Sequence, residues 1–524
     1  MKDLHEQSAS AMAKMLDSGE ISSLELVRAH IARADEVDGT LNAFVHRFND
    51  EALRAAKEAD EARSKGEHKG PLHGIPITIK ESMATAGVAS TLGLAKRRND
   101  VQKEDSVVVK LLRGAGAIIL GKTNVPQLLL SHESENPIWG VTKNPWNLER
   151  APGGSSGGEG AAIASGMSPW GVGTDIGGSI RVPAAFSGIA GLKPTVDRWS
   201  NRGSFTGLTG QEVVRGQCGP MARQSEDVST LFYALDPVEM SQLDPNVAPT
   251  ITRRPEAIDL SKLRVGVFTD DGFIQPAQSV ARAVTEAAEH LRDAGCELVP
   301  FTPPHAHDII ETYYAALSSD GGATGKKAIS GEVLTPQLGE LMRTVLMPNL
   351  VRNIAASVMA RRGEARVAKV LRQIGTKSVE TYWQLTHRRS ALRLAVMDAW
   401  REAGIDALIC PPHATPAVGH RQSGDFTAAG SYSMRFNFLN LPAGVVPVSR
   451  VRDNEVERPD PVGRRADRVD RKARLIESGS AGLPLGVQVA SRPYREDIVL
   501  ALMIAIEAGA SKRPSYPSTP RNPA

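Results

Sequence analysis

Cysteine is scarce: three residues in 524, Cys218, Cys296 and Cys410, at spacings that fit neither a disulfide framework nor a metal site. A reducing, cytoplasmic setting is therefore expected. Long apolar runs are missing as well. No stretch approaches the ~20 residues of a membrane-spanning helix, and the opening MKDLHEQSASAMAKML carries acidic residues without the apolar core of a signal peptide. An excess of one charge is also lacking. Sixty-two Lys and Arg face 59 Asp and Glu, for a formal net charge of +3, so nothing calls for nucleic acid. No internal repeat is found.

What is present is ordinary globular composition, 41% apolar and 23% charged, in a chain long enough for one large α/β domain or two or three smaller ones. Ser22 and Glu25 form a capping-box pattern ahead of Leu26, Val27, Ile31 and Ala32, and residues 1–65 read as helices. The run GIPITIK at 74–80 reads as a buried strand ending at Lys80. A helix at 105–113, strands at 117–120 and 170–173, a strand at 263–268 followed by a helix at 279–294, and strands at 406–410, 443–448 and 485–490 continue the alternation. That pattern predicts an α/β sheet enclosed by helices. Residues 336–402 read as helical. The strongly charged 449–480 reads as an exposed insertion, and the Pro- and Ser-rich 513–524 as a disordered tail.

Two motif matches are set aside. GAIILGKT at 116–123 fits the phosphate-loop letters, but its variable positions are those of a buried strand and Pro126 opposes a following helix. GGSSG at 153–157 fits the nucleophile elbow, yet residues 148–152 are no strand. The elbow also needs a histidine and an acid. His73, His132 and His413 each lie beside Gly, Pro or Ser, where a structural or surface role outweighs a catalytic one.

Residues 153–195 carry the chemistry. Gly177 and Gly178 ahead of Ser179 allow positive φ and close approach of the backbone to a ligand. Successive amides in such a turn form an anion-binding nest, which an oxyanion hole requires. A serine hydroxyl needs a base, and without a plausible histidine the candidate is Lys80. To serve, its amine must be neutral, which means lowering a pKa of ~10.4 to ~7–8 by burial. Taken alone, Lys80 reads rather as half of a buried ion pair, and the glycine cluster as a turn-rich loop. Together they make a Ser–Lys mechanism credible.

These residues resemble the amidase signature family. GGSSGG at 153–158 followed by GTDIGGSIRVPA at 173–184 is a long, specific string. TNVP at 123–126, NPW at 144–146, GLKP at 191–194 and GLPLGVQ at 482–488 follow in the family's order, so the likeness covers nearly the whole chain. STLGL at 90–94, DSVVV at 105–109, NVPQ at 124–127 and PAGVVPV at 442–448 bring it nearest to the fatty acid amide hydrolases. The resemblance implies one domain over 1–512, a large mixed twisted sheet surrounded by helices, with N-terminal helices at 1–65, a catalytic core at 66–235 and a helical cap at about 270–402.

It also implies roles. Ser179 would be the acyl-forming nucleophile, Ser155 the bridging serine reached through a cis peptide from Gly154, and Lys80 the base acting through Ser155. Amides of Ile176, Gly177, Gly178 and Ser179 would form the oxyanion hole, with Ser156, Thr174 and Asp175 in support. Leu128, Leu129 and Leu130 align with positions lining an acyl channel. No metal or cofactor is implied, and the substrate would be a small acyl amide. Residues 341–362, with Met342, Val345, Leu346, Leu350, Ile354 and Val358 opposite Arg343, Arg352, Arg361 and Arg362, suit an amphipathic helix meeting a membrane surface or a second copy of the chain. The leading expectation is an amide hydrolase for hydrophobic or fatty acyl amides. The alternatives are a broad amidase, esterase or carbamate hydrolase, the A subunit of a tRNA-dependent amidotransferase, and a non-catalytic binding protein.

Overall fold

The computed structural model describes residues 3–461 and 465–524; residues 1–2 of the N-terminal helical stretch and 462–464 of the charged segment lie outside the described residues. Thirteen strands are described: β1 (Phe44–Arg47), β2 (Pro76–Lys80), β3 (Ile118–Thr123), β4 (Glu135–Asn136), β5 (Gly140–Val141), β6 (Trp170–Asp175), β7 (Ala190–Lys193), β8 (Gln217–Ala222), β9 (Arg264–Val267), β10 (Glu297–Pro300), β11 (Ala407–Cys410), β12 (Ala443–Arg450) and β13 (Pro484–Ser491). Eleven form one mixed sheet in the order β1-β3-β2-β6-β8-β7-β12-β13-β11-β9-β10, while β4 and β5 make a separate hairpin. The mixed α/β architecture expected from the sequence is the one observed.

β2 runs parallel to both β3 and β6, so the carboxyl ends of β2 and β6 open side by side, as crevices in α/β sheets do. At β12 the sheet is covered on both faces. Gly444 lies against Met503 of the helix Glu496–Ala510, and the next residue, Val445, lies toward Gly486 and Ala185 of the helix Arg181–Ser187. Successive residues of a strand face opposite sides, so a strand covered twice reads as the continuous apolar run that PAGVVPV is. Ala443, Val445, Val446 and Val448 are all buried.

The N-terminal stretch folds as the helices Ala9–Asp17, Ser23–Leu41 and Asn49–Ser64, and the Ser22–Glu25 capping box forms. It also contains β1, which the all-helical expectation missed. This strand lies at the sheet edge, antiparallel to β3, and only Phe44 is buried, so it shows no alternation to read.

Three further expectations are corrected. The segment 449–480 is not an exposed insertion. It begins inside β12, and its helix Arg468–Glu477 buries Val469, Ala473 and Ile476 beneath a charged outer face, with Arg458 and Glu477 paired in the interior. Nor is 513–524 loose. Arg521 N–H donates to Ala164 O at 2.8 Å, Leu148 N–H to Ala524 O at 3.0 Å, and Arg33 to the Asn522 side chain at 2.7 Å. Finally, 341–362 is not one helix. Pro348 divides it into Pro336–Val345 and Asn349–Arg361, because the residue before a proline is driven out of the helical region. Met342 turns inward, while Leu346, Leu350, Val351, Ile354 and Val358 stay exposed. Among the described residues no helix is long and apolar enough to cross a membrane.

Candidate active site

All five residues of β2 are buried, and side-chain alternation puts Thr78 and Lys80 on one face. The Lys80 amine has no exposure. It donates to Ser155 Oγ at 2.7 Å, to Thr174 Oγ1 at 2.8 Å and to Thr174 O at 3.3 Å. Burial pushes its pKa down to about 7, against the opposing pull of Asp175, Glu159 and Glu81. An amine that is mostly ammonium in water is thus poised to change charge near neutrality.

Ser155 ends a loop that enters the helix Gly157–Ala164, and the Gly154–Ser155 peptide is cis. Only glycine fits at 154: a Cβ there would stand 2.4 Å from Glu133 O and 2.5 Å from Ser131 O, both backbone atoms. The Ser156 amide donates to Ser179 O at 3.1 Å, and the Ser156 hydroxyl to Thr174 O at 3.3 Å. These bonds join the loop before the helix to the turn after β6.

That turn, residues 176–180, is fastened from beneath by Asp175 at the end of β6. Its carboxylate accepts the amides of Gly178 (2.8 Å) and Ile180 (3.1 Å), two bonds from Arg181 (both 2.9 Å) and one from Asn437 (2.9 Å). Burial opposes ionisation of Asp175, but Arg181 overrides it and holds the carboxyl well below the usual range. Arg181 also donates to Ser433 O, Gln488 Oε1 and Asn437 Oδ1, at 2.9, 2.6 and 2.6 Å. Gly178 adopts φ +108°, and a Cβ there would meet the Ser433 side chain at 2.9 Å. The Ile176 carbonyl accepts from Tyr313 Oη at 3.1 Å, and the Gly177 carbonyl is 3.1 Å from His132 Nε2.

Four amides of this turn are expected to receive an oxyanion. The structure gives the Gly178 amide another acceptor, Asp175, while those of Ile176, Gly177 and Ser179 have no protein acceptor among the described residues. Ser179 Oγ likewise has no protein partner among them, and it opens onto two cavities. One is apolar, walled by Leu208, Leu317, Met342, Val345, Ile374 and Met434. The other is lined by Ser155, Thr174, Asn201, Gln211, Arg215 and Gln217. Leu129 and Leu130 line both, and Leu128 the second only. Leu128 and Leu129 sit at positive φ, 54° and 61°, a conformation costly for a branched side chain.

The discarded motifs fall as expected. Lys122 of the phosphate-loop match lies in buried β3 and donates to Ser90 Oγ at 2.8 Å. His73, His132 and His413 are buried; His413 packs edgewise on His132 and Phe186, burial pushes its pKa down to about 3, and neither His132 nor His413 bonds to Ser155 or Ser179. Sequence reasoning passed over Arg181, Asn437, Gln488 and Tyr313. Arg181 and Gln488 stand inside the strings that carried the resemblance, so proximity to Ser179 was an available signal for Arg181. Nothing local marked Tyr313 or Asn437.

Residues 25–500 match the Amidase family. Fatty-acid amide hydrolase 1 of Sus scrofa is 35% identical over 500 residues, which is 95% of this chain and 84% of that protein. Fatty acid amide hydrolase 1 of Caenorhabditis elegans is 33% identical over 502 residues, covering 94% of this chain and 86% of its own length. Among solved structures, one named Fatty acid amide hydrolase superposes with a TM-score of 0.84 at 28% identity, covering 97% of this chain and 85% of that one.

Proposed function

We propose a mechanism and a substrate class from one premise: the chain belongs to the amidase family and is a hydrolase acting on amides. Ser179 Oγ attacks the amide carbon. Its proton passes to Ser155 as Ser155 gives its own to neutral Lys80, and the oxyanion is received by the amides of Ile176, Gly177 and Ser179. The same relay returns a proton to the departing nitrogen, which leaves poorly otherwise. Water then attacks the acyl-enzyme with the relay again as base. The observation that carries this reading is the fully buried Lys80 amine held 2.7 Å from Ser155, in a site where no histidine among the described residues bonds to either serine.

The apolar cavity against Ser179 supports a hydrophobic or fatty acyl group, with the amine leaving toward the polar cavity. A panel of primary amides of rising chain length tests this. kcat/KM is expected to climb with chain length, by up to about 0.8 kcal/mol per buried methylene. Met342→Trp, which fills the cavity, is expected to remove about tenfold or more from the long substrates and little from the shortest. A flat panel, with better turnover of aryl amides, esters or carbamates, would transfer the protein to the broad-specificity reading.

We place the enzyme in the cytoplasm, a setting supported by three buried, unpaired cysteines. The exposed apolar face of Asn349–Arg361 is proposed to rest on a lipid surface. It continues from the helix that lends Leu341, Met342 and Val345 to the apolar cavity, and Arg361 and Arg362 flank it. Anionic vesicles are expected to float the protein, and Leu350→Ser with Ile354→Ser to abolish flotation. No flotation, together with a dimer that the same pair of changes dissociates, would assign the face to a second copy.

A further inference from the structure

Three carboxylates lie within electrostatic reach of the Lys80 amine: Asp175, Glu159 and Glu81. Two are already committed. Asp175 is clamped by Arg181 at 2.9 Å and by three further donors. Glu81 accepts the amides of Thr91 and Leu92 and feels Lys122. Glu159 is different. It is wholly buried, and its oxygens take only hydroxyls: Thr78 donates to Oε2 and Thr123 to Oε1, each at 2.7 Å. Among the described residues no Lys, Arg or His forms an ion pair with it.

The fold puts this carboxyl under Lys80 in several ways at once. Thr78 shares a face of β2 with Lys80, and the β2–β3 register pairs Lys80 with Thr123. Glu159 is the third residue of the helix Gly157–Ala164, which packs on β2, β3 and β6. At Gly171 of β6 a Cβ would overlap Glu159 Oε2, so the absent side chain is what admits the carboxyl to the sheet. The neighbouring cation of β3, Lys122, alternates to the other face, where it bonds Ala89 and Ser90.

We propose that Glu159 is a positioning residue for catalysis: it supplies the counter-charge for the ammonium that Lys80 becomes when it takes the Ser179 proton through Ser155. This rests on the reading of Lys80 as base. In the step concerned, the Ser179 Oγ–carbon bond forms and the carbonyl π pair moves onto oxygen. One proton passes from Ser179 to Ser155 and another from Ser155 to Lys80. A positive charge therefore arises on a fully buried amine, where ions without partners are costly. Asp175 already balances Arg181, and Glu81 is held by backbone amides. Glu159 is the carboxylate that remains. Burial also pushes the Glu159 carboxyl up to about 7, in the range to which Lys80 is pushed down, so each group's charge governs the other's.

The test is the pH profile of kcat/KM on an amide between pH 5 and 10. Lys80 must be neutral to act, so the wild-type rate rises with pH through about 7 and then levels off. Removing a nearby anion lowers the Lys80 pKa further. Glu159→Gln is therefore expected to move the acid limb about one unit to lower pH and, because the base is weaker, to lower the plateau about tenfold. Thr123→Val keeps the shape and removes one donor to Glu159, which favours its neutral form; a smaller shift in the same direction is expected. An acid limb unmoved in every folded variant, at whatever plateau height, would show that Glu159 only packs the sheet. Thr123→Val decides the matter if Glu159→Gln does not fold. Lys80→Met separates the two readings: if it keeps amide turnover with the same limb, Lys80 is not the base, and the fault lies in that reading rather than in Glu159.

Discussion

Lys80→Ala is expected to lower kcat for an amide by about 10³-fold while lowering it much less for an ester with an activated leaving group, the span for one positioned acid–base group being ~10²–10⁴. The split follows from what each leaving group requires. An amine expelled from a tetrahedral intermediate must be protonated as it goes, and the proposed source is the proton stored on Lys80 and returned through Ser155. A phenolate leaves without that help. The ester therefore loses only the activation of Ser179, the amide that and the assisted departure. Ser179→Ala, by contrast, is expected to end turnover of both and to abolish labelling by a fluorophosphonate. Paired rates on matched acyl groups give the answer directly, and equal losses on the two substrates would remove the leaving-group role from the relay.

Asp175→Ala is expected to cost about 3–5 kcal/mol of stability, the range for removing one partner of a buried ion pair. Neither Asp175 nor Arg181 has measurable side-chain exposure. Without the carboxylate the guanidinium stays buried and unbalanced, with only the neutral acceptors Ser433 O, Asn437 and Gln488. The amides of Gly178 and Ile180 lose their acceptor as well, each a further cost of about 1–3 kcal/mol if left unsatisfied. The effect reaches activity because those amides belong to the turn that carries Ser179. Fluorophosphonate labelling is expected to slow by about 10²-fold even where the variant remains folded, as a 1 Å misplacement does. Urea unfolding and labelling rate together check this. A wild-type midpoint would mean that the clamp is not what holds the turn.

How far the sequence could be read depended on whether a residue's environment was local. The β2 strand and its terminal Lys80 were legible because the five residues before Lys80, Ile75 to Ile79, are all β-branched or apolar. The turn at Ser179 was legible because glycine spacing survives as text. The cavity wall was not: Tyr313, Met342 and Met434 come from helices far along the chain, and nothing in their neighbourhoods marks a shared surface. Glu159 directly follows the GGSSGG string that carried the resemblance, yet its neutral partners and its position under Lys80 are products of strand register. The segment 449–480 misled because charge outnumbers the three apolar positions, 469, 473 and 476, that fix its helix. β1 was missed because an edge strand with one buried residue has no pattern.

The Arg181 clamp also sets a timetable. Its acceptors Ser433, Asn437 and Gln488 lie 252, 256 and 307 residues further along the chain. β13, which carries Gln488, is the last strand to leave the ribosome, yet it sits between β12 and β11 in the interior of the sheet. A growing chain thus holds Lys80, Ser155 and Ser179 long before it holds what fixes Ser179 in place. Such non-local closure is slow, so the turn that carries Ser179 is expected to be fastened only after β13 has been made and paired with β12 and β11.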